Sequence, residues 1–245
     1  MKILVCITCV PDTTSKISFT NGGKELDKNG IQFVIGPYDD YALSRGVELR
    51  DELGGTLTVL NVGTAETEQV IRKALAIGAD DAIRIDAEPT DAYFVAQQIA
   101  AIAKKENYDL ILMGRESSDY NGGQVHGIVG EMLGIPSLSP VMKLDISGTT
   151  AKMAREIEGG KETLEASLPL VLGVQEPIAD WKIPNMKGIM SARKKPLNVV
   201  APENPETLTQ PEVHELPPAK GTCRMLSIDE VGTLVDLLKS EAKVL

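Results

Sequence analysis

The chain has 245 residues, 42% hydrophobic but only 4% aromatic, so aliphatic side chains must fill its core. Its net charge of −10 and isoelectric point near 4.8 would repel a polyanion, which argues against nucleic-acid binding. No apolar stretch approaches the roughly 18–20 residues that span a bilayer, and no signal peptide precedes the first strand-like segment. We therefore expect a cytoplasmic protein with one large domain, or one domain plus an extension.

The cysteines favour a reduced protein. There are three, and an odd, sparse count argues against a disulfide framework. Cys6 and Cys9 have the CxxC spacing of redox or metal sites. Cys6 lies within a strand pattern and no second CxxC follows, so two reduced cysteines at a strand end are the favoured interpretation, and we expect no metal site.

Strand and helix patterns alternate through the first 135 residues. The strand patterns cover 2–8, 56–62, 82–85 and 110–113. The helical patterns carry start or stop signals at Pro37, Gly54, Thr64, Gly78 and Thr90, and a last one covers 123–133. This alternation predicts an α/β fold: a parallel sheet, helices on both faces, and ligands beyond the carboxyl ends of the strands.

Three other segments depart from this rhythm. A polar insert with turn signals at 21–23 predicts a small hairpin. Short strand patterns between 141 and 174 predict a small antiparallel addition. The segment 202–218 is rich in proline and glutamate, which is typical of an extended arm, and an amphipathic helix at 228–242 follows it. Because such an arm has little core of its own, we expect it to lie on a partner subunit.

The most informative segment follows the fourth strand pattern and opens a helix. Its residues are Gly114, Arg115, Glu116, Ser117, Ser118, Asp119, Tyr120, Asn121, Gly122, Gly123, Gln124 and Val125. Glycines allow close approach of the backbone to a ligand, and N–H groups at a helix start favour an anion such as phosphate. The segment is neither a P-loop nor a GxGxxG fingerprint, so a ligand-free turn is an equal alternative.

A second candidate site is the helix start formed by Gly36, Pro37, Tyr38 and Asp39. Asp39 in the first turn suits the helix dipole, and the functional alternative has this turn flanking an adenosine. A third candidate, the charged hairpin pattern at 155–162, contains Glu156. Nothing else nearby completes an active site there, and a hairpin with charged edges is the simpler interpretation.

The fourth candidate is a basic segment in an acidic chain. Its cations are Lys182, Lys187, Arg193, Lys194 and Lys195, and they interleave with Ile183, Met186, Ile189 and Met190. A solvated basic face is the usual explanation of such a run. Apolar residues rimmed by charge are also typical of a protein-docking site.

Several segments, in order along 1–200, resemble electron-transfer flavoprotein β-subunits. They are KILVCITCVPD (2–12), GPYD (36–39), ALAIGAD (74–80), GRESSDYNGGQV (114–125), REIEGG (155–160), LPLV (168–171), IPN (183–185) and ARKK (192–195). The resemblance implies a Rossmann-like, adenine-nucleotide-binding domain at 1–200. It also implies a C-terminal arm and helix at 201–245 that pack on a larger α-subunit.

The resemblance further implies an electron carrier subunit and not a free-standing catalyst. The β-subunit would hold an adenine nucleotide, expected to be AMP, while FAD lies near the interface with the α-subunit and exchanges electrons with acyl-CoA dehydrogenase-type partners. When the family's positions are carried over residue by residue, the nucleotide would be surrounded by Cys6, Val62, 36–39 and 114–125. Glu156 would lie near the flavin. The docking residues would be Ile183, Lys187, Met190 and Arg193.

Two alternatives stay open. Within the family, an electron-bifurcating subunit would bind a second FAD and oxidise NADH. In another class, a nucleotide-binding regulatory or stress module would share the α/β shape, although the basic segment and the long arm argue against it. A hydrolase or ligase would need a nucleophile–base pair or a pyrophosphate loop, and the sequence contains neither pattern.

Overall fold

The computed structural model describes residues 1–203 and 206–245, which divide into two units. The first unit comprises Met1–Ile17 and Asp27–Glu212, and the second comprises Ser18–Leu26 and Val213–Leu245. The predicted domain at 1–200 falls largely within the first unit.

The described strands, in chain order, are β1 (Lys2–Cys6), β2 (Cys9–Pro11), β3 (Phe19–Thr20), β4 (Glu25–Leu26), β5 (Phe33–Ile35), β6 (Thr56–Val62), β7 (Asp81–Ile85), β8 (Leu110–Gly114), β9 (Ser137–Ser147), β10 (Thr150–Ile157), β11 (Gly160–Ser167), β12 (Leu170–Val174) and β13 (Leu197–Val200). The α-helices are α1 (Pro37–Leu53), α2 (Glu68–Ile77), α3 (Ala92–Glu106), α4 (Val125–Leu133), α5 (Met186–Ala192) and α6 (Val231–Leu237). Within the described ranges, no helix combines the length and the apolar composition that crossing a bilayer would require.

The main sheet has the order β11-β10-β9-β12-β8-β1-β6-β7-β13 among the described strands. Pairings from β9 through to β13 in this order are parallel, while β10 is antiparallel to β9 and to β11. The chain runs outward from β1 to β6 and β7, then returns to the other side of β1 with β8. The boundary between β1 and β8 is therefore the topological switch point of the sheet. The predicted parallel sheet with an antiparallel addition is confirmed, but the strand at 170–174, predicted to belong to the addition, is wrong in detail: β12 lies inside the parallel part of the sheet, between β8 and β9.

Side chains alternate along β1 between two apolar layers. Ile3 and Val5 pack in one cluster with Leu43 of α1 and the buried face of α2. Leu4 packs in the other cluster with Ile99 of α3 and the buried face of α4. Successive strand side chains point to opposite faces, so this alternation confirms that helices cover both sides of the sheet.

Two predicted helix starts are wrong in detail. Asp91, and not Thr90, caps α3, because its carboxylate accepts a hydrogen bond from the Phe94 N–H at 2.7 Å. A 3-10 turn follows Thr64, so α2 begins only at Glu68. The patterns also miss β13 and the β2–β5 pair, since strands of three or four residues are too short to show periodicity.

The second unit contains the predicted hairpin. Strand β3 pairs antiparallel with β4 across the turn at 21–23. The Phe19 ring stacks on the His214 ring, with centroids 5.2 Å apart, and the His214 N–H donates to the Gly23 carbonyl at 2.7 Å. Within this unit, these contacts join the hairpin to the residues that follow Val213.

The C-terminal helical part of the second unit begins with a reciprocal capping box between Ser227 and Glu230. It continues into α6 and a short π-helix, Leu238–Ala242, so the predicted terminal helix is confirmed with an irregular end. Ile228, Val231 and Leu234 are exposed, Ile228 at 88%. This short helical part thus carries apolar residues that the unit itself does not bury.

In the first unit, the buried Asp39 carboxylate joins α1 to the carboxyl ends of β1 and β8. Its Oδ2 accepts hydrogen bonds from the backbone N–H and the hydroxyl of Thr8, at 2.8 and 2.6 Å, and its Oδ1 accepts from the Gly114 N–H at 2.8 Å. A Cβ at Gly114 would lie 2.7 Å from the same carboxylate, so the position requires glycine. Burial raises the pKa of Asp39 to about 6, although the three hydrogen bonds favour the charged form.

We expect Asp39→Asn to lower the free energy of unfolding at pH 7 by about 1–3 kcal/mol, because a carboxamide has one acceptor oxygen and leaves a buried N–H unpaired. The folded pKa lies above the ordinary value of 3.8, so the part of the Asp39 contribution that depends on protonation is complete below pH 3.8 and is lost as the pH rises through about 6. The stability difference between wild type and variant should therefore be larger at pH 4 than at pH 7.

Urea unfolding at the two pH values measures this difference. Asp51→Asn, at an exposed carboxylate of the same helix, is the control and should change little. A wild-type advantage over Asp39→Asn that grows with pH would contradict the assignment.

Candidate functional site

A cleft opens beyond the carboxyl ends of β1, β6 and β8, at the switch point of the sheet. Its cavity volume is about 100 Å³, below the roughly 300–1,000 Å³ usual for small-molecule sites, so it would enclose only part of a nucleotide and leave the rest in its open mouth. Its walls are largely apolar, with Leu60, Val95, Ile99 and Met113 among them. The cleft therefore lies beyond the carboxyl ends of the parallel strands, where the sequence analysis predicts a ligand.

The structure brings only part of the predicted nucleotide set into the cleft wall. Cys6, Val62, Asp119 and Val125 line it. The other predicted residues between Gly114 and Gln124 lie between lining residues along the chain, but they do not themselves line the cleft. The other predicted group, Gly36, Pro37, Tyr38 and Asp39, lies at the start of α1 and does not line the cleft. Asp39 is connected to the cleft wall only by its hydrogen bonds to Thr8, which is a lining residue.

Several lining residues are not among the predicted site residues, although Ile7, Thr8 and Cys9 lie in the opening segment (2–12) that carries the family resemblance. They are Ile7, Thr8, Cys9, Leu60, Thr67, Pro89, Val95, Ile99 and Met113. Most belong to patterns that predict only strand or helix. Asn61 is also missed, although the sequence contains a signal that could have found it: it is a polar residue within the otherwise apolar end of a strand. It is buried, and its Nδ2 donates to the Ile7 carbonyl at 2.9 Å, which joins the ends of β6 and β1.

The segment after β8 forms a turn that ends at α4. Asn121 and Gly123 have left-handed backbones, with φ of 49° and 59°. The helix predicted to begin at 123 therefore begins at Val125, because the conformation of Gly123 is not helical. Within the described part of the chain, the N-cap Gln124 makes no side-chain cap hydrogen bond. N–H groups of the first turn of α4 can therefore bind an anion.

The thiols of the cleft are held in the protonated state. Burial raises the pKa of Cys6 far above its ordinary value, and the nearby Asp39 charge adds to this. Burial also raises the pKa of Cys9 to about 11. Reactive and metal-binding cysteines need a lowered pKa, so these thiols are poor nucleophiles. Among the described residues, no cluster of His, Cys, Asp and Glu is arranged to hold a metal ion.

A polar chain connects the turn to the antiparallel part of the sheet. The Arg115 guanidinium lies over the Tyr38 ring, 5.5 Å from its centroid, and donates to Gln175 Oε1 at 2.9 Å. Gln175 Nε2 in turn donates to Glu156 Oε2 at 3.4 Å. Glu156, predicted to lie near the flavin, is exposed, and this polar chain places it at the same edge of the sheet as the turn. The only sequence signal for Gln175 is its place directly after the buried strand β12.

The predicted docking residues lie in α5 or directly beside it. Ile183, Met186 and Met190 are 73%, 74% and 69% exposed, and Lys187 and Arg193 are also exposed. Asn185 caps the helix by accepting from the Gly188 N–H at 2.8 Å. The structure therefore places Ile183, Lys187, Met190 and Arg193 on one exposed segment, which we call the docking segment (183–193).

Reciprocal hydrogen bonds join the end of α5 to α2. Arg72 Nη1 donates to the carbonyls of Ala192 and Lys195, at 3.0 and 2.9 Å. Lys195 Nζ donates to the carbonyls of Leu75 and Ala79, at 3.0 and 2.5 Å. Lys195, which the sequence pattern groups with the exposed cations, is therefore used within the fold.

Comparison with known proteins identifies the family. Residues 25–205 match the model of the electron transfer flavoprotein domain. The chain is 34% identical over 259 residues to the electron transfer flavoprotein subunit beta of Bacillus subtilis, with both chains covered completely. It is 34% identical over 222 residues to that of Syntrophomonas wolfei, covering 90% of this chain and 87% of the relative. It is 36% identical over 208 residues to that of Mycobacterium tuberculosis, covering 81% and 78%. The chain belongs to the electron transfer flavoprotein β-subunit family.

Proposed function

We propose that this chain pairs with a larger α-subunit, holds AMP in the switch-point cleft, and docks acyl-CoA dehydrogenase-type enzymes through its docking segment. The observation that carries the nucleotide assignment is the cleft itself, bordered by the glycine-bearing turn and the start of α4. Family membership supports the association with a flavin, FAD, near the interface of the two subunits.

The chemistry of the cleft fits an adenosine phosphate. Its apolar walls offer contact area to a base, and the N–H groups at the start of α4 offer hydrogen bonds to a phosphate. Ser117, Ser118 and Asn121 belong to the turn that connects the lining residues Met113, Asp119 and Val125. The Asp119 carboxylate lines the cleft and disfavours a second anion beside it, but it can accept a hydrogen bond from a ribose hydroxyl. Phosphate recognition thus depends on backbone dipoles.

The flavin supplies the redox chemistry when it is bound, and this chain contributes by orientation. Glu156 is the group that we assign to the flavin environment. Its link through Gln175 to Arg115 ties it to the turn that borders the nucleotide cleft. The protonated Cys6 and Cys9 thiols suit a site that binds its ligand without reacting with it. All three cysteines are unpaired, as is usual in reducing compartments, and we place the protein in the cytoplasm.

The second unit is our candidate for the contact with the α-subunit. Its exposed apolar side chains, among them Ile228, Val231 and Leu234, are unusual for a surface that faces only water. A partner that covers them would remove this apolar area from water. The proposal therefore assigns α6 and the residues before it to subunit assembly.

We expect Gly123→Val to empty the nucleotide site, because a β-branched residue is strained at a φ of 59° and would displace the turn. Nucleotide released from the purified heterodimer is measured by mass spectrometry, which also separates AMP from the FAD of the bifurcating alternative. Gly160→Val, in β11 where an added Cβ meets no atom within 4 Å, is the control and should keep its nucleotide. Full occupancy in Gly123→Val would exclude the turn from the site.

We expect Ile183→Ala to raise the Kd for the dehydrogenase about 30-fold, the effect of losing about 2 kcal/mol at an interface anchor. Nucleotide content and heterodimer assembly should not change. Affinity should also fall with salt, since Lys187 and Arg193 act through a screened field. Leu53→Ala, at an exposed leucine at the end of α1, is the control. Wild-type affinity in Ile183→Ala would remove the docking assignment.

We expect Leu234→Lys to weaken assembly with the α-subunit, because it places a charge in the apolar stripe of α6. Thr233→Lys puts the same charge on the opposite side of the helix and should assemble normally. Size-exclusion chromatography of the co-expressed subunits measures the dimer fraction. Equal dimer fractions in the two variants would show that this stripe does not face the α-subunit.

A further inference from the structure

The docking segment contains a helix that is too short to be stable by itself. Helix α5 has seven residues, whereas isolated helices of fewer than about 12–15 residues are marginal in water. It includes Gly188, a residue type that disfavours helices. Ala192 is buried, but Met186, Lys187 and Met190 are exposed and gain little from packing. The helical form of the segment must therefore be stabilised by contacts with the rest of the fold.

Helix α2 supplies these contacts along one face of α5. Gly188 and Ala192 are four residues apart and so share that face. A Cβ at Gly188 would overlap the Ala76 carbonyl oxygen, so the two backbones pass too closely for any side chain. Ala192 belongs to the same apolar cluster as the buried face of α2. Met186 and Met190 each lie two residues from Gly188, and this spacing puts them on the opposite side of α5, away from α2.

The C-terminal ends of the two helices cap each other. Ala192 is the last residue of α5, and its carbonyl is one of those that have no partner within a helix. Arg72 Nη1 donates to this carbonyl at 3.0 Å and to the Lys195 carbonyl at 2.9 Å. Lys195 Nζ in turn donates to the carbonyls of Leu75 and Ala79 at the end of α2. A cation at a helix C-terminus also interacts favourably with the helix dipole, so both cations hold α5 on α2.

We propose that Arg72 is a positioning residue that keeps α5 helical on α2 and thereby presents Met186 and Met190 to the electron-transfer partner. This inference rests on the docking function proposed above. Residues four apart are neighbours on a helix but lie about 13 Å apart in an extended chain, so the two methionines form one apolar patch only while α5 is folded. When only a fraction of the molecules has the folded helix, the Kd for the partner rises by the inverse of that fraction.

The first test measures the folded fraction of α5 directly. Hydrogen exchange of the segment 186–193 is followed in the purified heterodimer before any dehydrogenase is added. Arg72→Ala should speed this exchange about five- to tenfold, because it removes two charge-assisted hydrogen bonds from the helix end. Glu68→Gln is the control and should exchange like wild type. It removes the carboxylate that pairs with Arg72 at 3.3 Å but leaves both carbonyl bonds in place.

The second test measures docking of the heterodimer on an acyl-CoA dehydrogenase. Arg72→Ala should raise the Kd about fivefold, the effect of a folded fraction near one fifth, while Glu68→Gln should dock like wild type. Electron transfer at saturating dehydrogenase should equal that of wild type, because the bound partner restores the helix. Nucleotide content should also be unchanged. A general loss of stability would instead reduce nucleotide content and the transfer rate at saturation.

Arg72→Lys is the second variant, and it replaces Arg72→Ala if that chain fails to assemble. It keeps the charge at the end of α5 on a shorter side chain without the guanidinium fork. Faster exchange and weaker docking should therefore both appear, each to a smaller extent than in Arg72→Ala.

The outcomes separate the inference from the docking function. If Ile183→Ala weakens docking and neither Arg72 variant does, the positioning role is wrong and the docking assignment stands. If no variant weakens docking, the docking assignment fails and the inference fails with it. Weaker docking with unchanged hydrogen exchange would also overturn the inference, because Arg72 would then act on the partner directly and not through α5.

Discussion

The Asp39 carboxylate is the interaction on which the site depends. At the switch point, β1 and β8 are adjacent but the chain leaves them in different directions, so their last N–H groups need partners outside the sheet. Asp39 supplies acceptors to both strand ends, at Thr8 and at Gly114, from the first turn of α1. The turn that borders the cleft starts at Gly114, and its starting point is therefore fixed by a residue 75 positions earlier.

The same burial that gives Asp39 its role also defines the chemistry of the cleft. Removal of water raises the pKa of the carboxyl and of both neighbouring thiols, because each would be charged in its deprotonated form. The carboxylate has three hydrogen bonds to offset this cost, whereas the thiols stay neutral. A cleft with neutral thiols, apolar walls and backbone N–H groups favours binding over covalent catalysis, which is consistent with the nucleotide-holding role proposed for this subunit.

In the basic segment, some of the cations make contacts within the fold and others are exposed to solvent. Its sequence shows five cations among apolar residues, without indicating which ones face solvent. Lys195 caps the end of α2, and Lys182 pairs with Glu48 of α1. Lys187 and Arg193 are exposed beside the apolar residues of α5. The charges that anchor the segment are thus different from those that can meet a partner, although all share one short stretch of chain.

The sequence by itself determined the parallel sheet, the layers of helices, the edge of the sheet at which the cleft lies and the family, because strand and helix periodicity are local and the family motifs occur in order. It also located the turn after β8 and the exposed Ile183. Only the tertiary structure decided that Asp91 replaces Thr90 as a cap, that 36–39 lies behind the cleft wall, and that Gln175 joins Arg115 to Glu156. These contacts join residues far apart in the chain, and they depend on strand register and helix rotation, which no local pattern records.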